Sequence, residues 1–263
     1  MAQPSIVFQM ARARLGLDMD ASRIIRDAVK RVTELRESAS HATEVADAIS
    51  AVKGLQARRF AGAYIDLLCS KQYQAAARFF LEELYSDQDF SQRDAQFARI
   101  AGALERLFPE QVVQTAVSLA QLHCLTEELD YAMAINWVSN ADLPEVPRYV
   151  TAWHAVGRQS DRMSQLDMVI VIGQELDRLT RTRGLRTMLR MMRGPANLAG
   201  LGSLQQFLEG GFDTFSEMAR QGDGTRYFLC TVQSRESGLI DQLFHADTVA
   251  CETEMARILG QPR

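Results

Sequence analysis

Six arginines crowded between residues 178 and 193 are the side chains best placed to do chemistry: Arg178, Arg181, Arg183, Arg186, Arg190 and Arg193. On a helix, Arg183, Arg186, Arg190 and Arg193 share one side, while Leu185, Met188, Leu189 and Met192 share the other. Such a face suits an anionic ligand, a nucleic-acid end or an acidic protein. The plain structural alternative is a solvated face balanced by carboxylates of the same chain, for example Asp87 and Asp89. The run from Gly194 to Ser203 follows directly, and glycines ahead of a helix start can turn backbone N–H groups toward a phosphate or carboxylate. Arg190 and Arg193 with Gly200, Gly202 and Ser203 therefore make a candidate anion subsite. It meets neither the dinucleotide nor the Walker pattern, since Gly200-Leu201-Gly202 continues to Gln205 and no strand precedes it.

Other constellations carry less. His123, Glu127 and Asp130 can share a helix face, as can His41 and Glu44. A di-iron carboxylate bundle needs Glu-x-x-His pairs, and the chain contains none. The Gly194–Gly202 run bears a faint likeness to the glycine-rich distal helix of heme oxygenases, unaccompanied by any other landmark. No metal and no cofactor is expected. Glu82-Glu83 and Glu127-Glu128-Leu129-Asp130 could supply acid–base carboxylates, but adjacent residues diverge by about 100° on a helix, so both runs read as solvated faces or arginine partners. No serine or cysteine stands in a nucleophile motif, and no catalytic residue is assigned. Cys69, Cys124, Cys230 and Cys251 are widely spaced, without a CxxC pair, which reads as four reduced thiols.

Composition bounds the partners. A net charge of −4 argues against broad binding to phosphate backbones. Arginine supplies 26 of the 29 basic residues, a skew that most simply reflects a GC-rich coding sequence. No run approaches the roughly 18 apolar residues that span a bilayer, and Arg12 and Arg14 follow a very short apolar stretch. The expectation is a cytoplasmic, unprocessed protein without a membrane partner.

The elements that position these residues read as helices throughout. Ile25, Val32, Ala39 and Ala46 alternate with Ala28, Leu35, Ala42 and Ile49 in an a/d spacing over four heptads. A continuous helix from Ser22 to about Lys53 would project beyond a small domain. Ile25, Val32, Leu35, Ala39, Ala42, Ala46 and Ile49 would then form a self-association seam; a break near Ser38 to Ser40 would instead fold the helix back onto its own bundle. Further helices are expected at about 55–69, 72–85, 91–107, 109–138, 147–158, 161–182, 184–193, 203–220, 224–244 and 247–259. The β-branched run Val169 to Ile172 belongs to a helical stripe with Leu166, Gly173, Leu176 and Leu179. Ser91 is expected as an N-cap with Asp94 reciprocating, and Pro109 suits a first helical turn. Pro144 and Pro147 mark the clearest break. The expected organisation is an N-terminal helical segment at 1–54, a first half at 55–138, a linker at 139–147 and a second half at 148–263. Asp66-Leu67-Leu68, Arg78-Phe79-Phe80, Phe97 and Gly102 echo Asp177-Arg178-Leu179, Arg190-Met191-Met192, Phe207 and Gly211, as a helical duplication would.

The stretch Arg78 to Ile100 contains Phe79-Phe80-Leu81-Glu82-Glu83, and on these residues the chain resembles a bacterial family named for its FFLEE motif. The resemblance runs to about Phe244 and implies a similar helical organisation, with no activity attached. Phe79, Phe80, Tyr85, Phe90 and Phe97 are expected in the core. The sequence thus predicts an all-α protein with a long N-terminal helix and a multi-helix bundle in two similar halves. Its expected role is non-catalytic, self-associating and engaging a protein partner through the arginine face. The alternative is a ligand-binding bundle or enzyme with an apolar cavity between the halves and a small anionic ligand held near residues 190–203.

Overall fold

The computed structural model describes residues 20–83, 88–220 and 222–260, and its regular structure among them is entirely helical. The expectations placed on Met1 to Leu17, Tyr85 and Asp87 lie outside the described residues. The first helix, α1 (Ala21–Ser40), starts at Asp20, whose carboxylate accepts from the Arg23 N–H at 2.9 Å. It does not continue to Lys53. Near its end, Ser38 Oγ donates to the Glu34 carbonyl, Ser40 Oγ donates to the Glu37 carbonyl, and the His41 ring nitrogen lies 2.6 Å from that same carbonyl. Side chains bonded back to the preceding turn compete with helix propagation. The chain turns at His41 and Ala42, and α2 (Thr43–Ala63) runs back along the bundle.

The short α3 (Ile65–Cys69) and α4 (Gln74–Glu83) follow, then α5 (Ser91–Leu107) and α6 (Glu110–Ser139). With 30 residues, or ~45 Å at ~1.5 Å each, α6 is the axis on which α1, α2 and two later helices pack. Those are α7 (Glu145–Val156) and α8 (Gln159–Thr180). The region expected as one helix at 184–193 is two short ones, α9 (Leu185–Met191) and α10 (Arg193–Leu198). They lead to α11 (Gly202–Ala219), α12 (Gly224–His245) and α13 (Thr248–Ile258). Val169 to Ile172 is helical within α8, as the stripe predicts.

The turn splits the expected seam between two helices. Ile25, Val32, Leu35 and Ala39 are buried within the chain, where α1 packs on α5 and α6. Ala42 is exposed at the turn, and Ala46 and Ile49 are half-buried on α2. The Ser139 to Pro147 break is likewise a turn inside one body. The main core cluster crosses it, running from Ala39 through Trp137 and Tyr149 to Met255. Phe79 of α4 stacks on Phe207 of α11 with centroids 5.8 Å apart, and Phe80 packs edge-on against Phe228 of α12 at 5.1 Å. The Phe79–Phe80 pair therefore joins the two halves. Among the described residues no helix is long and apolar enough to cross a membrane.

Candidate functional site

Two helix faces define the site. Along α6, Val112, Ala116, Leu119, His123, Glu127 and Asp130 recur at the three-and-four spacing of a single helical face, which changes from apolar to ionic as it rises. The facing stripe of α8 runs the other way: Arg162 and Gln165 stand at the ionic end, Leu176 and Leu179 at the apolar end. Gln165 Nε2 donates to Thr126 Oγ1 at 2.8 Å and fixes the register. Between these faces lies a cavity of about 350 Å³. Phe97, Ile100 and Leu104 of α5 form one wall, and Leu208 and Phe212 of α11 with Ile240 of α12 form another. Leu185, Met188 and Leu189 of α9, together with Met192 and Ala196, roof the apolar end.

At the ionic end, charged side chains are buried and paired. Asp94 accepts from Arg36 at 2.9 Å and lies 2.9 Å from His123 Nε2. Lys53 donates to Glu127 at 2.6 Å, and Gln56 donates to Asp130 at 3.1 Å. Behind them, Arg59 and the Tyr64 hydroxyl both donate to Glu236 at 2.9 Å. Burial resists ionisation of Asp94, but the bonds from His123 and Arg36 outweigh it and hold the carboxyl below its ordinary value. For Asp130 the balance reverses: complete burial, with Glu127 adding to it, raises the carboxyl despite Lys53 and Arg162 nearby. Two carboxylates pushed in opposite directions in one cavity are a common mark of a binding or catalytic site. No group of histidine, cysteine and acidic side chains among the described residues is arranged to hold a metal ion.

A family model described as a domain of unknown function (DUF8198) matches residues 35–250, most of the chain and all of the cavity wall except Val29. The chain belongs to this family. No curated protein and no solved structure matches it. The DUF8198 span takes in the Phe79–Glu83 run and the whole ionic end.

Within this DUF8198 fold several groups of the predicted anion subsite are bonded inside the chain. Arg193 pairs with Glu209 and Arg186 with Asp213, both carboxylates of α11, while the expected Asp87 lies outside the described residues. Arg183 and Arg190 are exposed, and none of the four arginines lines the cavity. Gly200, at φ +66°, closes α10 in a Schellman turn: its N–H donates to Asn197 and that of Leu201 to Ala196. This turn presents carbonyls, not N–H groups, since Arg99 donates to Ala199 and Gly200 at 2.7 and 2.9 Å. Gly202 opens α11, where the Leu204 N–H is taken by Gln96 at 2.9 Å and Ser203 Oγ donates to Gln92 at 3.3 Å. The cavity's charged side chains stand at its opposite end, while near the roof its polar lining is Gln205, which donates to the Leu189 carbonyl at 2.7 Å.

Sequence reasoning placed His123, Glu127 and Asp130 on one face and went no further. Lys53 on α2, Arg162 and Gln165 on α8 and Glu236 on α12 are not singled out, because nothing in the sequence ties these three helices to one site. Asp94 was read as a capping partner of Ser91. Instead Asp89 accepts from the Ser91 N–H at 2.8 Å, leaving Asp94 for His123 and Arg36. Of the two acidic runs, Glu83 pairs with Arg93 and Glu128 with Arg31 and Arg158, as arginine partners, whereas Glu127 and Asp130 are buried and take Lys53 and Gln56, which corrects the solvated-face reading for them.

Proposed function

We propose that this protein binds a small amphipathic molecule between its halves, with the apolar body against α5, α6, α8 and the roof of α9 and α10. The polar end of that molecule meets Lys53, His123, Glu127 and Asp130, a set that can both donate and accept hydrogen bonds. The observation carrying this reading is the cavity itself: about 350 Å³ of largely apolar space closed at one end by buried charge. Pockets for small ligands combine these two properties, and a core serving only stability would be packed to fill such a volume. A hydrophobic dye such as anilinonaphthalene sulfonate tests it. The native protein should bind the dye with about one-to-one stoichiometry, and Leu119→Trp, which projects into the cavity, should abolish binding while leaving helicity unchanged. Equal dye binding by the variant would refute the assignment.

The 2.9 Å contact between His123 and Asp94 supports a second reading, in which the bound molecule is a substrate. A histidine oriented by a buried carboxylate at the wall of a cavity can exchange a proton with a bound group. His123→Asn should then lower turnover of a substrate far more than it lowers affinity for that same molecule; equal losses in the two would leave His123 a binding residue only.

A further inference from the structure

The roof of the cavity has an outer face that the site does not use. Met191 is 74% exposed and Leu198 93% exposed, in a segment whose inner side chains line the cavity. Met192 belongs to both surfaces, lining the cavity while remaining 36% exposed, so outer and inner apolar surfaces are continuous. Residues 178–208 carry six arginines and no carboxylate side chain, within a chain of net charge −4. Four of the six are neutralised by Glu175, Asp177, Asp213 and Glu209. Arg183 and Arg190 are exposed and form no ion pair within 4 Å among the described residues, although Arg190 lies near enough to Glu209 to help lower its carboxyl.

We infer that the outer face of α9 and α10 docks on an anionic lipid surface, with Met191 and Leu198 entering the interfacial layer and Arg183 and Arg190 facing headgroup phosphates. Apolar tips flanked by arginine are the composition that lies in a bilayer interface, where burial of apolar surface and attraction to anionic lipid act together. An acidic protein would satisfy the arginines but leave Met191 and Leu198 unexplained. A lipid surface accounts for both, and for the placement of this face over an apolar cavity. Such docking needs no spanning helix. It stands on the outer face alone; that a lipid-derived molecule would enter the cavity from this side rests on the ligand-binding reading above.

Co-sedimentation of the full chain with large vesicles separates the cases. The protein should bind phosphatidylglycerol vesicles well and phosphatidylcholine vesicles weakly, with binding that falls as salt rises. Met191→Ser with Leu198→Ser, and separately Arg183→Glu with Arg190→Glu, should each weaken vesicle binding by about tenfold or more. All four side chains are exposed, and unchanged circular dichroism would verify that each pair of changes leaves the fold intact. Leu119→Trp should bind vesicles normally, so loss of dye binding and loss of docking are independent results. Failure to bind phosphatidylglycerol vesicles, equal binding by the variants, or capture of an acidic protein by this face without vesicle binding would each overturn the inference.

Discussion

Asp130 and Asp94 sit in the same cavity with opposite responses to pH. Asp130, raised by burial, takes up a proton on folding over the interval between its unfolded value of about 3.8 and its higher folded value. Its contribution is therefore complete below the unfolded value and is lost as pH rises through the folded one. Asp130→Asn keeps an acceptor for Gln56 and removes this dependence. Denaturant melts from pH 4 to 8 should show the variant holding its stability where the native protein loses some; parallel curves would contradict the burial argument. Asp94 is lowered, so its contribution is present above about 3.8 and disappears as pH falls through the folded value. Glu236 tests the support behind the site. Glu236→Ala removes the acceptor shared by Arg59 and Tyr64 in a buried setting, which should cost about 3–5 kcal/mol in unfolding free energy. A loss below about 1 kcal/mol would place that pair among ordinary surface ion pairs.

At the scale of elements, helix identity was legible because apolar residues recur at three and four, and most expected boundaries fall within a few residues of the observed ones. The α1–α2 turn was legible as a break near Ser38 to Ser40 that folds the helix back, beside the competing seam. Ser38, Ser40 and His41 are its physical cause, but the heptad spacing of Ala39, Ala42, Ala46 and Ile49 continues through it unbroken. Packing partners were not legible, since periodicity says which face is buried and not what covers it. For that reason the seam residues of α1 read equally as a dimer face. The cavity was invisible for the same reason: Lys53, Asp94, Asp130 and Arg162 converge from four helices. One packing contact offers a sharp test. A Cβ at Gly62 of α2 would collide with the carbonyl oxygen of Ile258 in α13, a backbone atom that cannot swing aside. Gly62→Ala should destabilise the protein by about 1–3 kcal/mol, although alanine is the better helix former. A gain in stability would show that α13 is not held against α2.

For the whole molecule, one core ties both halves together while a second space between them stays unfilled. The arginine segment is anchored at its rim through Arg186, Arg193 and Arg99 and is apolar beneath. It thereby roofs the cavity, and its Met192 both lines that space and is exposed to solvent. A chain built only to present an arginine surface would need no such volume. Native mass spectrometry of the freshly purified protein, repeated after adding monodecanoylglycerol, tests the account most directly. The account predicts a single non-covalent adduct on the native chain, carried through purification or acquired from the added amphiphile, and its absence from Leu119→Trp. A native chain that stays at its bare mass in both samples, or an adduct retained equally by the variant, would contradict it.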